Sequence, residues 1–402
     1  MTMASHTIEP TTEYQISSPS TNMILASRRT DSTFEDIPII DFTDASSSDP
    51  VRKMVLAEKI RDACINVGFF YITNHGVPED IITDAVEAGK KFFAQPISSK
   101  MDVRFCPSIP SIFRVKVASC TYFTPISQLD IHKAKNFKGY TALLGENTDP
   151  TGRGDLHEGF DIGWEEPSRS ISKDISSCDD SVMSGTNVWP GLPGFKQPVL
   201  SYYHSIVQLG LRLFPLFALA LDLPENFFED KTTKPAAIMR LLHYPPQSPS
   251  VPDNDSVIGI GAHTDYECFT ILWQDTISAL QVQNAKGKWI DAVPIPGTFV
   301  LNIGDQLARW TSKFILLWLE SMFAYSLADD VFKSTIHRAI NRSGQERYSI
   351  PLFFGVDYDV LLQPIGSCIS PEMPAKYEVI SAGDYVQSRL EETYAYSSSV
   401  QK

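Results

Sequence analysis

A histidine and an aspartate stand two positions apart, as His263 and Asp265, at the start of a β-prone run that continues to Leu272. In an extended chain, residues two apart project from the same face, so this imidazole and this carboxylate can bind one metal ion together. Downstream, residues 333–340 carry one further histidine, His337. Two neutral imidazoles and one carboxylate on one face of an octahedral ion leave the opposite face open, as in non-haem iron(II) centres. The sequence therefore predicts a metal triad of His263, Asp265 and His337.

A second pair with the same spacing follows at Arg347 and Ser349, at the start of an apolar run that ends at Phe354. Residues 343–344, Ser-Gly, are typical of a turn, so this run is expected to return as a strand beside His337. A guanidinium and a hydroxyl on one face of a strand suit a carboxylate ligand. The pair therefore predicts a carboxylate-binding position next to the metal.

These residues resemble the 2-oxoglutarate-dependent, Fe(II)-requiring dioxygenases of the isopenicillin N synthase-like group. The resemblance extends from about residue 35 to about residue 365. It is carried by His263-Thr264-Asp265, His337 and Arg347-Tyr348-Ser349, and by the segments 37–42, 68–76 and 301–305. The combination in this order is highly specific, whereas a single His-x-Asp would be weak evidence.

The resemblance implies Fe(II) held by the triad, with 2-oxoglutarate and O2 as co-substrates. It implies that Arg347 and Ser349 bind the far carboxylate of 2-oxoglutarate, and that Tyr244, just before Pro245, reaches the same co-substrate. For Tyr244, a structural role as the aromatic residue that closes a strand is an equal alternative. Of the other histidines, we expect His75 to have a turn or packing role and His157 a rim or structural role, and we leave His243 unassigned.

The implied reaction is oxidation of a small molecule coupled to decarboxylation of 2-oxoglutarate to succinate, with hydroxylation as the default and desaturation or ring closure as variants. Residues 135–141 and 157–161 are most similar to fungal members that oxidise pyrimidine bases, nitrogen heterocycles, amino acids and secondary-metabolite intermediates. Three alternatives remain. A zinc hydrolase could use the same triad, an oxidase could use Arg347 and Ser349 for a substrate carboxylate without 2-oxoglutarate, and a catalytically disabled jelly roll could only bind a ligand.

Composition describes a large acidic globular chain. Its 402 residues, 43% of them hydrophobic, can bury a substantial core, and the net charge of −14 argues against a nucleic-acid partner. Six cysteines without paired spacing favour reduced thiols. The first nine residues lack the basic start and apolar core of a signal peptide. We therefore expect a cytoplasmic protein with a small-molecule substrate and neither a nucleic-acid nor a membrane partner.

The pattern of apolar residues predicts a mainly β fold with flanking α-helices. Many short strands at even spacing are typical of a jelly roll, and the resemblance specifies a double-stranded β-helix. Helical periodicity is found at 52–67, 81–94 and 198–221, and strands are predicted at 37–42, 68–73, 258–260, 268–273, 280–283, 289–291, 299–303 and 350–354. We expect a disordered lead over 1–34, an N-terminal dioxygenase region over 35–196, helical support over 197–234, the jelly-roll core over 235–365 and a C-terminal tail over 366–402.

Two stretches fit neither this pattern nor the family, namely residues 103–128 and 312–328. The second is apolar, is interrupted by Glu320, and is too short to span a bilayer. Both can be encoded with splice-donor and splice-acceptor strings at their ends, so we interpret them as unspliced introns in the gene model. A docking helix is the alternative for the second stretch. Because that stretch directly precedes the His337 segment, it puts the activity of this form of the chain in question.

Overall fold

The computed structural model describes seven ranges of the chain. These are residues 33–101, 138–148, 154–165, 187–247, 259–316, 326–369 and 375–399. The predicted insert at 103–128 and nearly all of the predicted lead at 1–34 lie outside the described residues.

Strands predominate in the second half of the chain, and helices flank them. The helices are α1 (Pro50–Asn66), α2 (Glu79–Phe93), α3 (Ile97–Met101), α4 (Lys196–Ala220), α5 (Asp305–Trp310) and α6 (Ala382–Ser399). The strands are β1 (Ile39–Asp41), β2 (Phe69–Thr73), β3 (Gly139–Thr141), β4 (Glu158–Ile162), β5 (Ala237–Tyr244), β6 (Ile260–His263), β7 (Phe269–Gln274), β8 (Leu280–Gln283), β9 (Trp289–Asp291), β10 (Phe299–Ile303), β11 (Ser312–Leu316), β12 (Ser326–Asp330), β13 (His337–Ala339) and β14 (Arg347–Phe354).

Two sheets form the jelly roll. The larger has eight strands in the order β1-β2-β10-β7-β14-β5-β4-β3, and the smaller has four in the order β6-β13-β8-β9. All pairings are antiparallel except that of β1 with β2. This arrangement confirms the predicted mainly β fold with flanking helices.

Helix α4 is the central helix of the hydrophobic core. Phe214 packs against the rings of both Phe269 and Phe354, with ring centroids 5.1 and 5.5 Å apart. Gly210 is required at this crossing, because a Cβ there would lie 2.3 Å from the Phe354 ring. Helix α4 is long and apolar enough to cross a membrane, yet 61% of its most apolar window is buried inside the protein. That burial is the property of a core helix.

A close crossing fixes the segment that leads into β13. Gly68 has a φ of +76°, and a Cβ at this position would lie 2.4 Å from the carbonyl oxygen of Lys333. The Lys333 amide donates to the carbonyl of Cys64, and the Thr335 hydroxyl donates to the carbonyl of Val67. The turn between α1 and β2 therefore holds the chain just before His337.

The ends of the second predicted insert form an antiparallel hairpin of β11 and β12, and not a helix. At the base of this hairpin, the Val331 amide donates to the carbonyl of Thr311 at 3.2 Å. The Phe332 amide donates to the hydroxyl of the same threonine at 3.1 Å. Thr311 itself is completely buried. The two strands of the hairpin thus leave and re-enter the core beside Thr311. The interpretation of residues 312–328 as an intron stays a prediction.

Candidate metal centre and cavity

The predicted triad is brought together by the pairing of β6 with β13. His337 is the direct partner of His263 in this antiparallel pair, and their ring centroids lie 4.3 Å apart. The Nε2 atom of each histidine lies 3.6 Å from Asp265 Oδ1. One ligand atom from each of the three residues lies within 4.8 Å of the other two. This spacing is suited to one metal ion bound by all three side chains.

Hydrogen bonds to the backbone orient both imidazoles. His263 Nδ1 lies 2.7 Å from the carbonyl oxygen of Gly261, and His337 Nδ1 lies 3.1 Å from that of Thr335. Because a carbonyl can only accept, each Nδ1 carries the hydrogen. The Nε2 atoms are therefore the ones that can bind a metal ion, in the orientation typical of metal-binding histidines.

Asp265 is held in a similar way. Its Oδ2 atom accepts a hydrogen bond from the Thr270 hydroxyl at 2.5 Å and another from the Asn302 side-chain amide at 2.6 Å. Both donors are buried. Oδ1 is the atom that faces the two histidines, so each carboxylate oxygen has a separate function.

Burial and mutual contact shift the pKa values of the triad. Burial alone would raise the pKa of Asp265, but His337 and His263 hold it well below its usual range. Burial, and then His263, lower the pKa of His337 to about 4. Burial would also lower the pKa of His263, yet its hydrogen bond with Asp265 raises it. A divalent cation at this site would therefore meet an ionised carboxylate, and it would compete with the proton for Nε2 of each histidine.

Arg347 and Ser349 lie side by side on β14, as the spacing predicted. Arg347 is 1% exposed, and its Nη1 lies 3.3 Å from Ser349 Oγ. Its Nη2 lies 3.3 Å from the side-chain oxygen of Gln274 on β7. The guanidinium carbon lies 4.7 Å from the centre of the Tyr244 ring, which is the direct partner of Arg347 on β5.

No carboxylate neutralises Arg347 within the ranges that the structure describes. Its Nε atom is buried and has no hydrogen-bond partner there. Asp275 is close enough for the arginine to affect its pKa. However, the oxygens of Asp275 accept from the backbone amides of Ile277 and Tyr348 and do not pair with Arg347. A buried guanidinium in this state fits a carboxylate ligand.

The triad and the Arg347 group line one cavity of about 190 Å³. A charged cluster lines another part of its wall. Arg240 donates from Nε to Asp161 at 2.6 Å, and from Nη1 and Nη2 to the two oxygens of Glu146 at 2.9 and 2.7 Å. His157, for which a rim or structural role was predicted, also lines the cavity and lies 3.4 Å from Glu146.

Several residues of the site were missed by sequence reasoning. Thr270 and Gln274 gave no signal, whereas Asn302 lay in the segment 301–305 that carried part of the resemblance. Helix α6 contributes Val386 and Leu390 to the cavity wall. Both residues lie within the predicted C-terminal tail, residues 366–402.

Residues 235–356 match the family model of the 2OG-Fe(II) oxygenase superfamily, and residues 37–116 match that of the non-haem dioxygenase in morphine synthesis N-terminal region. The 2-oxoglutarate-Fe(II) type oxidoreductase hxnY of Emericella nidulans is 32% identical over 371 residues, which cover 91% of this chain and 92% of that protein. The chain belongs to the 2-oxoglutarate–Fe(II) oxygenase superfamily. This membership confirms the predicted family and its cofactors, Fe(II) with 2-oxoglutarate and O2 as co-substrates.

Two further proteins similar to the oxygenase differ in the small molecules that they act on or bind. A homoarginine-6-hydroxylase of Arabidopsis thaliana is 31% identical over 347 residues, covering 83% of this chain and 89% of that protein. Among solved structures, full-length T7H of Neurospora crassa in complex with alpha-KG and 5-formyluracil is similar, with a TM-score of 0.66 and 27% identity. That comparison covers 89% of the oxygenase and 96% of T7H.

Proposed function

We propose that this oxygenase hydroxylates a small nitrogen-containing molecule, either a nitrogen heterocycle, an amino acid or an intermediate of secondary metabolism. His263, Asp265 and His337 bind the iron. Arg347, Ser349 and Tyr244 bind 2-oxoglutarate. The observation that carries the proposal is the buried guanidinium of Arg347, which has no carboxylate partner in the described ranges and faces the same cavity as the triad.

Arg347 can select 2-oxoglutarate by its far carboxylate. In a buried position, hydrogen bonds between a guanidinium and a carboxylate are strong because water does not compete with them. The Ser349 hydroxyl adds one donor, and the Tyr244 ring keeps the guanidinium in place by a cation–π contact. These contacts would leave the 2-oxo acid end of the molecule directed toward the triad, so the residues act by orientation.

Iron(II) bound at the triad supplies the chemistry by which 2-oxoglutarate and O2 become succinate, CO2 and one oxygen atom inserted into a substrate C–H bond. The protein positions the reacting groups and limits their contact with water. Thr270 and Asn302 fix the carboxylate of Asp265, and the two backbone carbonyls fix the imidazoles. The apolar part of the wall, including Phe69, Leu272 and Phe353, limits the access of water to the reacting groups.

The charged cluster supports the nitrogen-containing substrate. Arg240, Glu146, Asp161 and His157 offer both donors and acceptors to the cavity. A substrate with N–H and C=O groups can exchange hydrogen bonds with such a wall, whereas a hydrocarbon cannot. Two similar proteins support this substrate class, since one is a homoarginine-6-hydroxylase and another binds 5-formyluracil.

A panel of free bases, nitrogen heterocycles and amino acids tests the proposal, with succinate formation measured in the presence of Fe(II) and O2. We expect at least one compound to stimulate succinate release and to gain one oxygen atom by mass spectrometry. The His337→Ala variant is the control for iron-dependent turnover. Substrate oxidation that continues when 2-oxoglutarate is omitted, or a purified protein that takes up no Fe(II), contradicts the proposal.

A further inference from the structure

Asp305 occupies an unusual position at the start of α5. Its backbone amide donates to the carbonyl of Asp265 at 2.8 Å, so Asp305 is in contact with the segment that carries the first two metal ligands. An acidic residue in the first turn of a helix often accepts from the amides of that helix. Here the carboxylate of Asp305 instead accepts from side chains that belong to three other segments.

Two of these segments carry the metal ligands. Oδ1 of Asp305 accepts from the Ser334 hydroxyl at 2.6 Å, and Ser334 lies three residues before His337. Oδ2 accepts from the Thr264 hydroxyl at 3.2 Å, and Thr264 stands between His263 and Asp265. One carboxylate therefore joins the segment of the first two ligands to the segment of the third.

The third segment is helix α6. The hydroxyl of Tyr385 donates to the same Oδ2 at 3.0 Å, and Nε of Arg389 lies 4.0 Å from it. The Arg389 guanidinium also lies 5.0 Å from the ring centre of Tyr266, the residue next to Asp265. Val386 and Leu390, on the same helix, line the cavity. The helix that forms part of the cavity wall is thus tied to the carboxylate that holds the ligand segments.

We propose that Asp305 is a positioning residue that couples the seating of α6 against the cavity to the placement of the three metal ligands. The inference rests on the proposed roles of His263, Asp265 and His337. When α6 is seated, Tyr385 completes the set of donors on Asp305, and Ser334 and Thr264 are held at their present separation. When α6 leaves, Asp305 loses one donor, and the two ligand segments are held less firmly.

The chain offers a matched pair of tyrosines for the test. Tyr377 and Tyr385 both pack on the Arg309 guanidinium, at 4.4 and 5.4 Å from their ring centres. Only the hydroxyl of Tyr385 reaches Asp305 among the described contacts. Tyr385→Phe therefore removes a hydroxyl that contacts Asp305. Tyr377→Phe removes a hydroxyl beside the same arginine that does not contact Asp305.

The probe is Co(II) alone, added to the full-length metal-free protein, with its affinity and its visible absorption spectrum as readouts. Loss of a residue that hydrogen-bonds a metal ligand commonly costs about 10–100-fold in metal affinity. The Asp305 carboxylate holds residues beside the ligands, so we expect Asp305→Ala to weaken Co(II) binding by about tenfold, the low end of that range. Tyr385→Phe should weaken it about threefold and alter the spectrum, and Tyr377→Phe should match the wild type. In the Asp305→Ala background, Tyr385→Phe should have no further effect.

Coupling is reciprocal, so Co(II) should also slow hydrogen exchange in residues 382–399 of the wild type and do so less in Asp305→Ala. The inference is overturned if Tyr385→Phe binds Co(II) as the wild type does with an unchanged spectrum. The inference is also overturned if the effect of Tyr385→Phe on Co(II) affinity adds fully to the effect of Asp305→Ala. A wild-type protein that binds no Co(II) would instead contradict the proposed function, so the two failures are distinguishable.

Discussion

The guanidinium of Arg347 lies 4.7 Å from the centre of the Tyr244 ring, and the two residues are direct partners across β5 and β14. A cation on an aromatic face is stabilised without being neutralised, so this contact can hold Arg347 in the cavity and leave its hydrogen-bond donors for a ligand. The pairing register thus provides a buried positive charge beside the metal triad.

Arg347→Ala should raise the KM for 2-oxoglutarate about 100-fold or more. Hydrogen bonds to charged groups contribute about 1.5–3 kcal/mol each, and the substitution removes at least two donors together with the charge. Succinate formation as a function of 2-oxoglutarate concentration measures the effect. Arg52→Ala, at an arginine on α1 whose side chain is 60% exposed, is the control and should leave KM unchanged. A KM for Arg347→Ala within twofold of the wild type would argue against the assignment.

Tyr244 allows its ring and its hydroxyl to be tested separately. If the hydroxyl reaches the co-substrate, Tyr244→Phe should raise the KM for 2-oxoglutarate by about two- to tenfold, since one neutral hydrogen bond contributes roughly 0.5–1.5 kcal/mol. Tyr244→Leu, which also removes the ring under Arg347, should have a larger effect. A Phe variant with wild-type KM would mean that only the ring matters.

Thr270 should influence metal binding without touching the metal. Thr270→Val keeps the shape but removes the donor to Asp265 Oδ2, and we expect Fe(II) or Co(II) affinity to fall about tenfold. Thr233 makes a similar bond to Asp357 outside the cavity. Thr233→Val is therefore the matched control, and equal metal affinities for the two variants would contradict the expectation.

The triad and the Arg347 pair were predictable because they depend on a local rule. Residues two apart on a strand share a face, and this rule places His263 with Asp265 and Arg347 with Ser349 without knowledge of the fold. That His337 lies opposite His263 depends on a long-range register between β6 and β13. Spacing does not give this register, and His337 could be chosen only because it is the one histidine downstream of Asp265 in the sequence. A local sequence pattern shows which residues share one face of a strand, whereas the pairing of strands decides which residues of different strands meet.

The charged cluster and the α6 wall were not predictable for the same reason. Asp161 meets Arg240 only because β4 pairs with β5 in a register that places the two residues opposite each other. Glu146 reaches the same arginine from the segment between β3 and β4. Helix α6 is mostly polar, and the residues that reach the cavity, Val386 and Leu390, are too few to make an amphipathic pattern. Its position is decided by contacts such as that of Tyr385 with Asp305, which sequence spacing cannot reveal.

Asp161 should make stability depend on pH. Burial raises the pKa of Asp161, Arg240 opposes this shift, and the neighbouring Glu146 adds to it. The folded state therefore holds the Asp161 proton more tightly than the unfolded chain, so its contribution to stability is present at low pH and is lost as pH rises above the ordinary aspartate range. Relative to the wild type, Asp161→Asn should be more stable at pH 8 than at pH 5.

Urea unfolding at the two pH values measures this difference. Asp84→Asn, at an exposed aspartate on α2, is the control and should show the same offset from the wild type at both pH values. An Asp161→Asn variant with a pH-independent offset would show that the carboxyl titrates in the folded protein as it does in the unfolded chain.

Removal of the hairpin should leave the fold intact. The Val331 amide already donates to the Thr311 carbonyl, so a chain of Thr311, one asparagine, Asp330 and Val331 forms a four-residue turn whose closing hydrogen bond exists in the present structure. Asparagine and aspartate are favoured in such turns. Shortening the loop should also stabilise the protein by roughly 1–2 kcal/mol, since closure entropy decreases with loop length.

We therefore expect the variant with one asparagine in place of residues 312–329 to unfold at a higher temperature than the full chain. It should also bind Co(II) at least as tightly, because Lys333 and Thr335, just before His337, are held by hydrogen bonds to the carbonyls of Cys64 and Val67, which the deletion leaves in place. Calorimetry and metal titration measure both effects. If the hairpin is part of the folded core, the shortened chain will instead be less stable or insoluble, and a transcript that always retains both stretches would reject the intron interpretation.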